Sequence, residues 1–131
     1  MATPPLGTRL QGPVDVAALA ASRLVDEPRW LVLVLDGRGR VARLTLVEDD
    51  DGDVAVLQEI LVAGCHRGVV CRRVSGPAAP THDDVTRLVT LRRAGATVGI
   101  EVVDGVLLGD DGFCSLLRLG LIGPANDRRY S

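Results

Sequence analysis

The chain has 131 residues, 47% of them hydrophobic, and a formal net charge of −2, which fits one domain with an apolar core. This charge does not favour nucleic acid, and the longest apolar run, Trp30–Leu35, is too short to span a bilayer. Three cysteines match no disulfide framework and no signal peptide is evident, so we expect a cytoplasmic protein with free thiols. All 15 basic residues are arginine, which indicates a GC-rich coding sequence.

The N-terminal part predicts a helix followed by a β-hairpin. Pro13–Val25 is predicted as a helix, because proline suits a first turn and Asp15 lies near the positive helix end. Trp30–Leu35 favours an interior strand buried on both faces. Asp36–Gly39 predicts the turn, and Arg40–Val47 has the imperfect alternation of a half-exposed strand.

The middle of the chain predicts a second helix and a third strand. Glu48–Asp53 is an acidic turn, and Val54–Ala63 has apolar residues at helical spacing. Gly64 is predicted to end that helix. Gly68–Val74 predicts a short strand, which the loop Ser75–Pro80 follows.

The next segment predicts a third helix and a second hairpin. Thr81–Ala94 has helical periodicity, and we expect Gly95 to end it. Thr97–Val103 and Val106–Leu108 are predicted as strands that turn at Asp104-Gly105.

A final short element over Phe113–Ile122 completes an order of α-β-β-α-β-α-β-β. Helices fall between groups of strands, so we expect an α/β domain with a mixed sheet flanked by helices. The predicted domain covers residues 13–122, between a flexible N-terminal tail (1–12) and a C-terminal tail (123–131).

Three segments carry a resemblance to a known family. Ser75–Gly109 contains Thr-His-Asp-Asp before a helix, then Ala-Gly, Gly-Ile-x-x-x-Asp and Leu-Gly, and resembles the C-terminal JAB domain of RadC-type proteins. Gly12–Ala17 resembles the leading helix of that domain, and Trp30–Arg40 resembles its first strand and Asp-x-x-x-Arg turn. The resemblance extends over Gly12–Ile122 and implies the JAB/MPN (JAMM) fold, a cytidine-deaminase-like architecture.

The resemblance also implies where a zinc site would lie. In the family, two histidines of a His-x-His segment and the aspartate of Ser-x-x-Asp hold zinc, and an open position lets the metal activate water. Here Cys71 and Arg73 stand at the two histidine positions. Thr81 stands at the serine position and Asp84 at the aspartate position.

The departures from the family motif point to a lost metal centre. Arg73 cannot ligate zinc, because its guanidinium stays protonated and offers no lone pair. The family's glutamate base falls near Leu44 or Thr45, and Glu48 reaches that place only with a register slip. An ion pair between Arg73 and Asp84 would replace the metal. We therefore expect no catalytic residues and no bound cofactor, although the family uses zinc.

The first functional hypothesis is an inactive domain that serves as a protein-interaction or assembly module, as a homodimer or with another protein chain. The second is a divergent zinc hydrolase of the peptidase or isopeptidase type. It would use Cys71, Asp84 and a third ligand such as His82, with Glu48 or another carboxylate as base. The third is an accessory role in DNA repair, which the negative net charge does not favour.

The candidate residues also have structural interpretations. Thr81 and Asp84 fit a capping box at a helix start, which needs no metal. Cys71 on an apolar strand fits an inert buried cysteine, whereas Arg72 and Arg73 beside it would lower the pKa of an accessible thiol.

Other patterns are weaker. Arg72-Arg73 and Arg92-Arg93 lack the aromatic partners of a nucleic-acid surface. Glu48–Asp53 lacks EF-hand spacing. The Gly-x-Gly that starts at Gly37 joins two strands, whereas a dinucleotide site needs a strand and then a helix. Four further residues have no recognised metal-site spacing: Cys65, His66, Cys71 and His82.

Overall fold

The computed structural model describes residues 9–23, 29–48 and 52–123. In chain order, the helices and strands of this part are α1 (Pro13–Ala21), β1 (Arg29–Leu35), β2 (Val41–Glu48), α2 (Gly52–Val62), β3 (Arg67–Arg73), α3 (His82–Thr97), β4 (Glu101–Gly109) and β5 (Gly112–Ser115). No helix in these three stretches is long and apolar enough to cross a bilayer.

The five strands form one mixed sheet in the order β2-β1-β3-β4-β5. β3 and β4 run parallel and are connected through α3, and the other neighbouring pairs are antiparallel. The predicted α/β class, with a mixed sheet flanked by helices, is confirmed. The arrangement is consistent with the JAB/MPN-like architecture that the resemblance implies.

Helices cover both faces of the sheet, so the core has two layers. Alternate residues of β1 enter the two layers, which confirms the prediction of an interior strand buried on both faces. The layer beneath α1 receives Leu31, Leu33 and Leu35. The layer beneath α2 and α3 receives Trp30, Val32 and Val34. β2 lies at one edge of the sheet and is half-exposed, as predicted.

Part of the predicted N-terminal tail is ordered against the turn between β1 and β2. Within residues 9–12, Leu10 is buried, and its backbone N–H donates to the carbonyl oxygen of Gly39 at 3.1 Å. This part of the predicted N-terminal tail therefore packs onto the fold. Residues 1–8 and 124–131 lie outside the described residues, as do 24–28 and residues 49–51 of the predicted acidic turn.

The prediction that Gly95 ends the third helix is wrong. α3 continues to Thr97, and Gly95 lies buried inside it. A Cβ atom at Gly95 would lie 2.9 Å from the carbonyl oxygen of Ile100, so close packing against the chain entering β4 explains the glycine. Gly99, with a φ of 78°, supplies the left-handed conformation that follows the helix.

The predicted turn at Asp104-Gly105 is also wrong. β4 passes straight through both residues, which pair with Val69 and Val70 of β3. The sequence Asp-Gly is a common turn signal, but here Asp104 is fully buried and accepts hydrogen bonds within the fold. The actual hairpin joins β4 to β5 further along the chain, where Gly109 pairs with Gly112.

Candidate functional site

The loop between β3 and α3 is fastened to the β4–β5 hairpin. The backbone N–H of Asp110 donates to the carbonyl oxygen of Gly76 at 2.8 Å, and that of Ala78 donates to Oδ1 of Asp111 at 2.8 Å. Gly109 packs so closely on the backbone of Ala78 that a Cβ atom there would collide with the Ala78 nitrogen. These contacts fix the direction in which the chain enters α3, where two of the predicted site residues lie.

Thr81 and Asp84 form the capping box that the sequence predicts. The backbone N–H of Thr81 donates to Oδ2 of Asp84 at 2.8 Å, and the backbone N–H of Asp84 donates to Oγ1 of Thr81 at 3.2 Å. The Thr81 hydroxyl also donates to the same carboxylate oxygen at 3.0 Å. The capping interpretation is confirmed, and it explains both residues without a metal.

Cys71 lies on β3 inside the core layer beneath α1, and its exposed fraction is 0%. Burial raises the pKa of its thiol to about 12, and the nearby Asp104 carboxylate raises it further. Arg73 lowers this pKa only slightly by comparison. The predicted buried location is confirmed, and the thiol stays protonated at neutral pH. Helix α3, which carries Asp84, packs against the opposite face of the sheet.

The remaining predicted positions are spread over the sheet. Arg73 is half-buried at the end of β3, on the same face as Cys71. The two positions offered for the glutamate base lie half-buried on β2, which β1 separates from β3. Glu48 forms an ion pair with Arg29 at 3.1 Å. The ion pair between Arg73 and Asp84 stays a prediction, as does the correspondence with the family's zinc ligands.

Potential metal ligands do not gather in one place in the part of the chain that the structure describes. Within residues 9–23, 29–48 and 52–123, no group of three or more His, Cys, Asp or Glu side chains could hold a metal ion. His66 follows α2 and is exposed, and His82 is exposed in the first turn of α3. The donor set is therefore a poor fit to a zinc site with three protein ligands.

Asp104, which the sequence predicts to lie in a turn, is buried within β4. Its Oδ1 accepts from the backbone N–H groups of Gly105 at 2.7 Å and Leu117 at 3.0 Å. Its Oδ2 accepts from the Ser115 hydroxyl at 2.5 Å, and the Ser115 oxygen accepts in turn from the backbone N–H of Arg118 at 3.1 Å. This network ties β4 to the chain segment after β5.

Cys114 is a second thiol and lies on β5. Its surroundings could not be predicted, because the predicted hairpin turned at Asp104-Gly105 and not between β4 and β5. Burial raises its pKa, and the carboxylates of Asp84, Asp104 and Asp111 raise it further. The β4–β5 hairpin thus brings this thiol near the aspartate of the capping box.

One arginine of each sequence pair makes contacts within the fold. In the first pair, the Arg72 guanidinium lies 5.6 Å from the Trp30 ring centroid, and Arg87 of α3 lies 5.3 Å from the same centroid. In the second pair, Arg92 donates from Nε to the carbonyl oxygen of Val102 at 2.8 Å and from Nη1 to that of Gly123 at 2.9 Å.

The chain is similar to bacterial proteins that carry the name UPF0758 protein. It is 30% identical over 133 residues to one from Desulforamulus reducens, covering 93% of this chain and 59% of the relative. It is 28% identical over 128 residues to one from Syntrophotalea carbinolica, covering 88% of this chain and 55% of the relative. It is 26% identical over 117 residues to one from Staphylococcus epidermidis, covering 82% of this chain and 52% of the relative. The chain thus spans between half and three fifths of these relatives. No family model matches the sequence.

Proposed function

We propose that this chain is a catalytically inactive RadC-like JAB/MPN domain that acts as a protein-interaction or assembly module. One observation carries the proposal: a buried, protonated cysteine and an arginine stand where the resemblance requires two histidine ligands. The mixed sheet flanked by helices and the similarity to proteins named UPF0758 protein support the resemblance.

The chemistry of the remaining side chains argues against zinc. Cys71 is fully buried in the core layer beneath α1, whereas Asp84 belongs to α3, which packs on the other face of the sheet. Arg73 brings a positive charge and no lone pair. Asp84 alone remains as a carboxylate donor, and its Oδ2 already accepts two hydrogen bonds in the capping box.

The interaction part of the proposal is supported by the outer face of α2. Val54, Leu61 and Val62 are 66%, 48% and 72% exposed, and their spacing of seven and eight residues places them on one side of the helix. No charged residue lies between them on that side, where Gln58 is the intervening residue. Such an apolar, uncharged helix face can pack against another protein chain. The partner to test first is a second copy of this chain.

Metal analysis tests the first half of the proposal. We expect protein purified without a histidine tag, and then incubated with zinc and desalted, to retain far less than one zinc per chain. Arg73→His should raise zinc retention if residue 73 faces the former metal position, whereas the matched control Arg72→His should not, because Arg72 packs on Trp30 at the other face. One tightly held zinc per wild-type chain would overturn the proposal.

Sedimentation velocity tests the second half. We expect wild-type chains to associate into dimers, and we expect Leu61→Glu to shift them to monomers by placing a charge in the apolar face. Val98→Glu is the matched control, since Val98 is 52% exposed at the far end of α3. A wild-type chain that remains monomeric at about 100 µM would rule out the homodimer, because this concentration is on the order of 100 times a micromolar Kd.

The divergent hydrolase hypothesis gains no support from these contacts, and it has a simple test. Under that hypothesis, Asp84→Asn abolishes both zinc retention and any peptidase or isopeptidase activity. Under the proposal, wild-type protein and Asp84→Asn are equally inactive, and the variant differs only in stability at the capping box.

A further inference from the structure

A cavity of about 630 Å³ lies at the opposite end of α3 from the capping box. Its walls are the last turns of α3, the chain entering β4, and the segment that ends at Gly123. Arg93 is nine residues beyond Asp84, which is about 14 Å along a helix axis, so the cavity is separate from the former metal positions. Its volume falls in the range of small-molecule sites.

The lining combines an apolar floor with positive charge. Val89, Ile100 and Ile122 supply apolar surface. Arg92 forms one wall and donates to two backbone carbonyl oxygens, so these contacts leave its charge uncompensated.

The other charged lining residues leave the cavity positive. Glu101 forms an ion pair with Arg67 at 3.2 Å, and this pairing offsets its negative charge. Arg93 is exposed at the rim, and among residues 9–23, 29–48 and 52–123 its guanidinium has no hydrogen-bond or ion-pair partner.

We infer that this cavity binds a small organic anion whose apolar body rests on Val89 and Ile122 and whose acidic head reaches Arg93. This site is independent of the proposed interaction function. A simpler explanation also exists for Arg93, because an exposed arginine on a helix surface often serves only to keep that surface solvated. The two explanations differ in whether anion binding depends on Arg93.

Two probes with the same apolar body separate these explanations. The first is 1-anilinonaphthalene-8-sulfonate, and the second is N-phenyl-1-naphthylamine, which lacks the sulfonate. We expect the native protein to bind one molecule of the sulfonate probe per chain, more tightly than the neutral probe. In amide ¹H–¹⁵N spectra, the largest shifts should occur at Val89, Gly99 and Gly123, which line the cavity.

Variants then assign the binding to the named residues. Arg93→Ala should weaken the sulfonate probe about fivefold, as expected for a partly exposed ion pair, and leave the neutral probe unchanged. Arg93→Lys should restore most of the difference. Ala96→Trp should displace both probes by filling the cavity, whereas Arg38→Ala, in the turn between β1 and β2, is the matched control.

The inference has clear failing outcomes. It is overturned if neither probe saturates at one site per chain, or if Arg93→Ala weakens both probes equally. Near-ultraviolet circular dichroism of each variant must match that of the wild type, because partly unfolded chains also bind such probes. A variant that fails this check is replaced by Arg93→Gln, which removes the charge and keeps a long polar side chain.

Discussion

Replacing Asp104 with alanine should be among the most destabilising single changes in the chain. The substitution leaves two backbone N–H groups and the Ser115 hydroxyl without their acceptor, while the carboxylate is fully buried. Each buried donor left without an acceptor lowers the free energy of unfolding by about 1–3 kcal/mol. The removal of the buried carboxylate offsets part of this loss. We expect a loss of about 3–5 kcal/mol in the free energy of unfolding. Urea titration followed by far-ultraviolet circular dichroism measures it.

Three further variants make that experiment decisive. Asp104→Asn keeps Oδ1 for Gly105 and Leu117, so it should lose about 1–2 kcal/mol. Ser115→Ala should lose a similar amount, and Arg93→Ala, on the exposed surface of α3 and outside its first and last turns, should stay within about 0.5 kcal/mol of wild type. The reasoning fails if alanine and asparagine at position 104 cost the same, or if alanine costs less than about 1 kcal/mol.

Three other predictions follow from single contacts. The Cys71 thiol has a pKa of about 12 in the fold and 9.0 as a free side chain. The unfolded chain therefore loses this proton near pH 9 while the folded chain keeps it, so the contribution of this thiol to stability is fully present only below pH 9. Above pH 9 the free energy of unfolding should fall by about 1.4 kcal/mol per pH unit, and Cys71→Ala should flatten that slope in denaturation series. No lysine titrates in this range, and Cys114→Ala is the matched comparison, because burial raises the pKa of that thiol as well. Thr81→Ala should lower stability by about 1 kcal/mol through loss of the helix cap, whereas Thr81→Ser should preserve it. Gly105→Ala should cost about 1–3 kcal/mol, because the new Cβ would lie 2.7 Å from Cδ2 of Leu88, and a double-mutant cycle with Leu88→Ala should show strong coupling between the two positions.

Much of the fold is predictable because local patterns and tertiary packing agree. The run Trp30–Leu35 is apolar at every position, as an interior strand with helices on both sides requires, and it is buried on both faces. The capping box at Thr81 is equally local, since its hydrogen bonds join residues three apart. Such features depend on neighbours in sequence, so a single sequence contains the signal.

The errors come from contacts between residues distant in sequence. Asp104-Gly105 has the composition of a turn, but its aspartate is satisfied by Ser115 and Leu117 and its glycine makes room for Leu88. Gly95 likewise has a packing role inside α3. The geometry of the candidate site could not be predicted for a related reason, because the sequence does not reveal which face of the sheet each strand residue occupies.

Trp30, which has two guanidinium groups near its ring, is an intrinsic fluorescent probe of how α3 packs on the sheet. The indole belongs to β1, one cation to β3 and the other to α3, and Trp30 is the single tryptophan of the chain. Emission from that one chromophore consequently senses whether the helix remains docked on the sheet, with no extrinsic label attached. A ligand or partner that shifts α3 will change the signal even where secondary structure content stays constant.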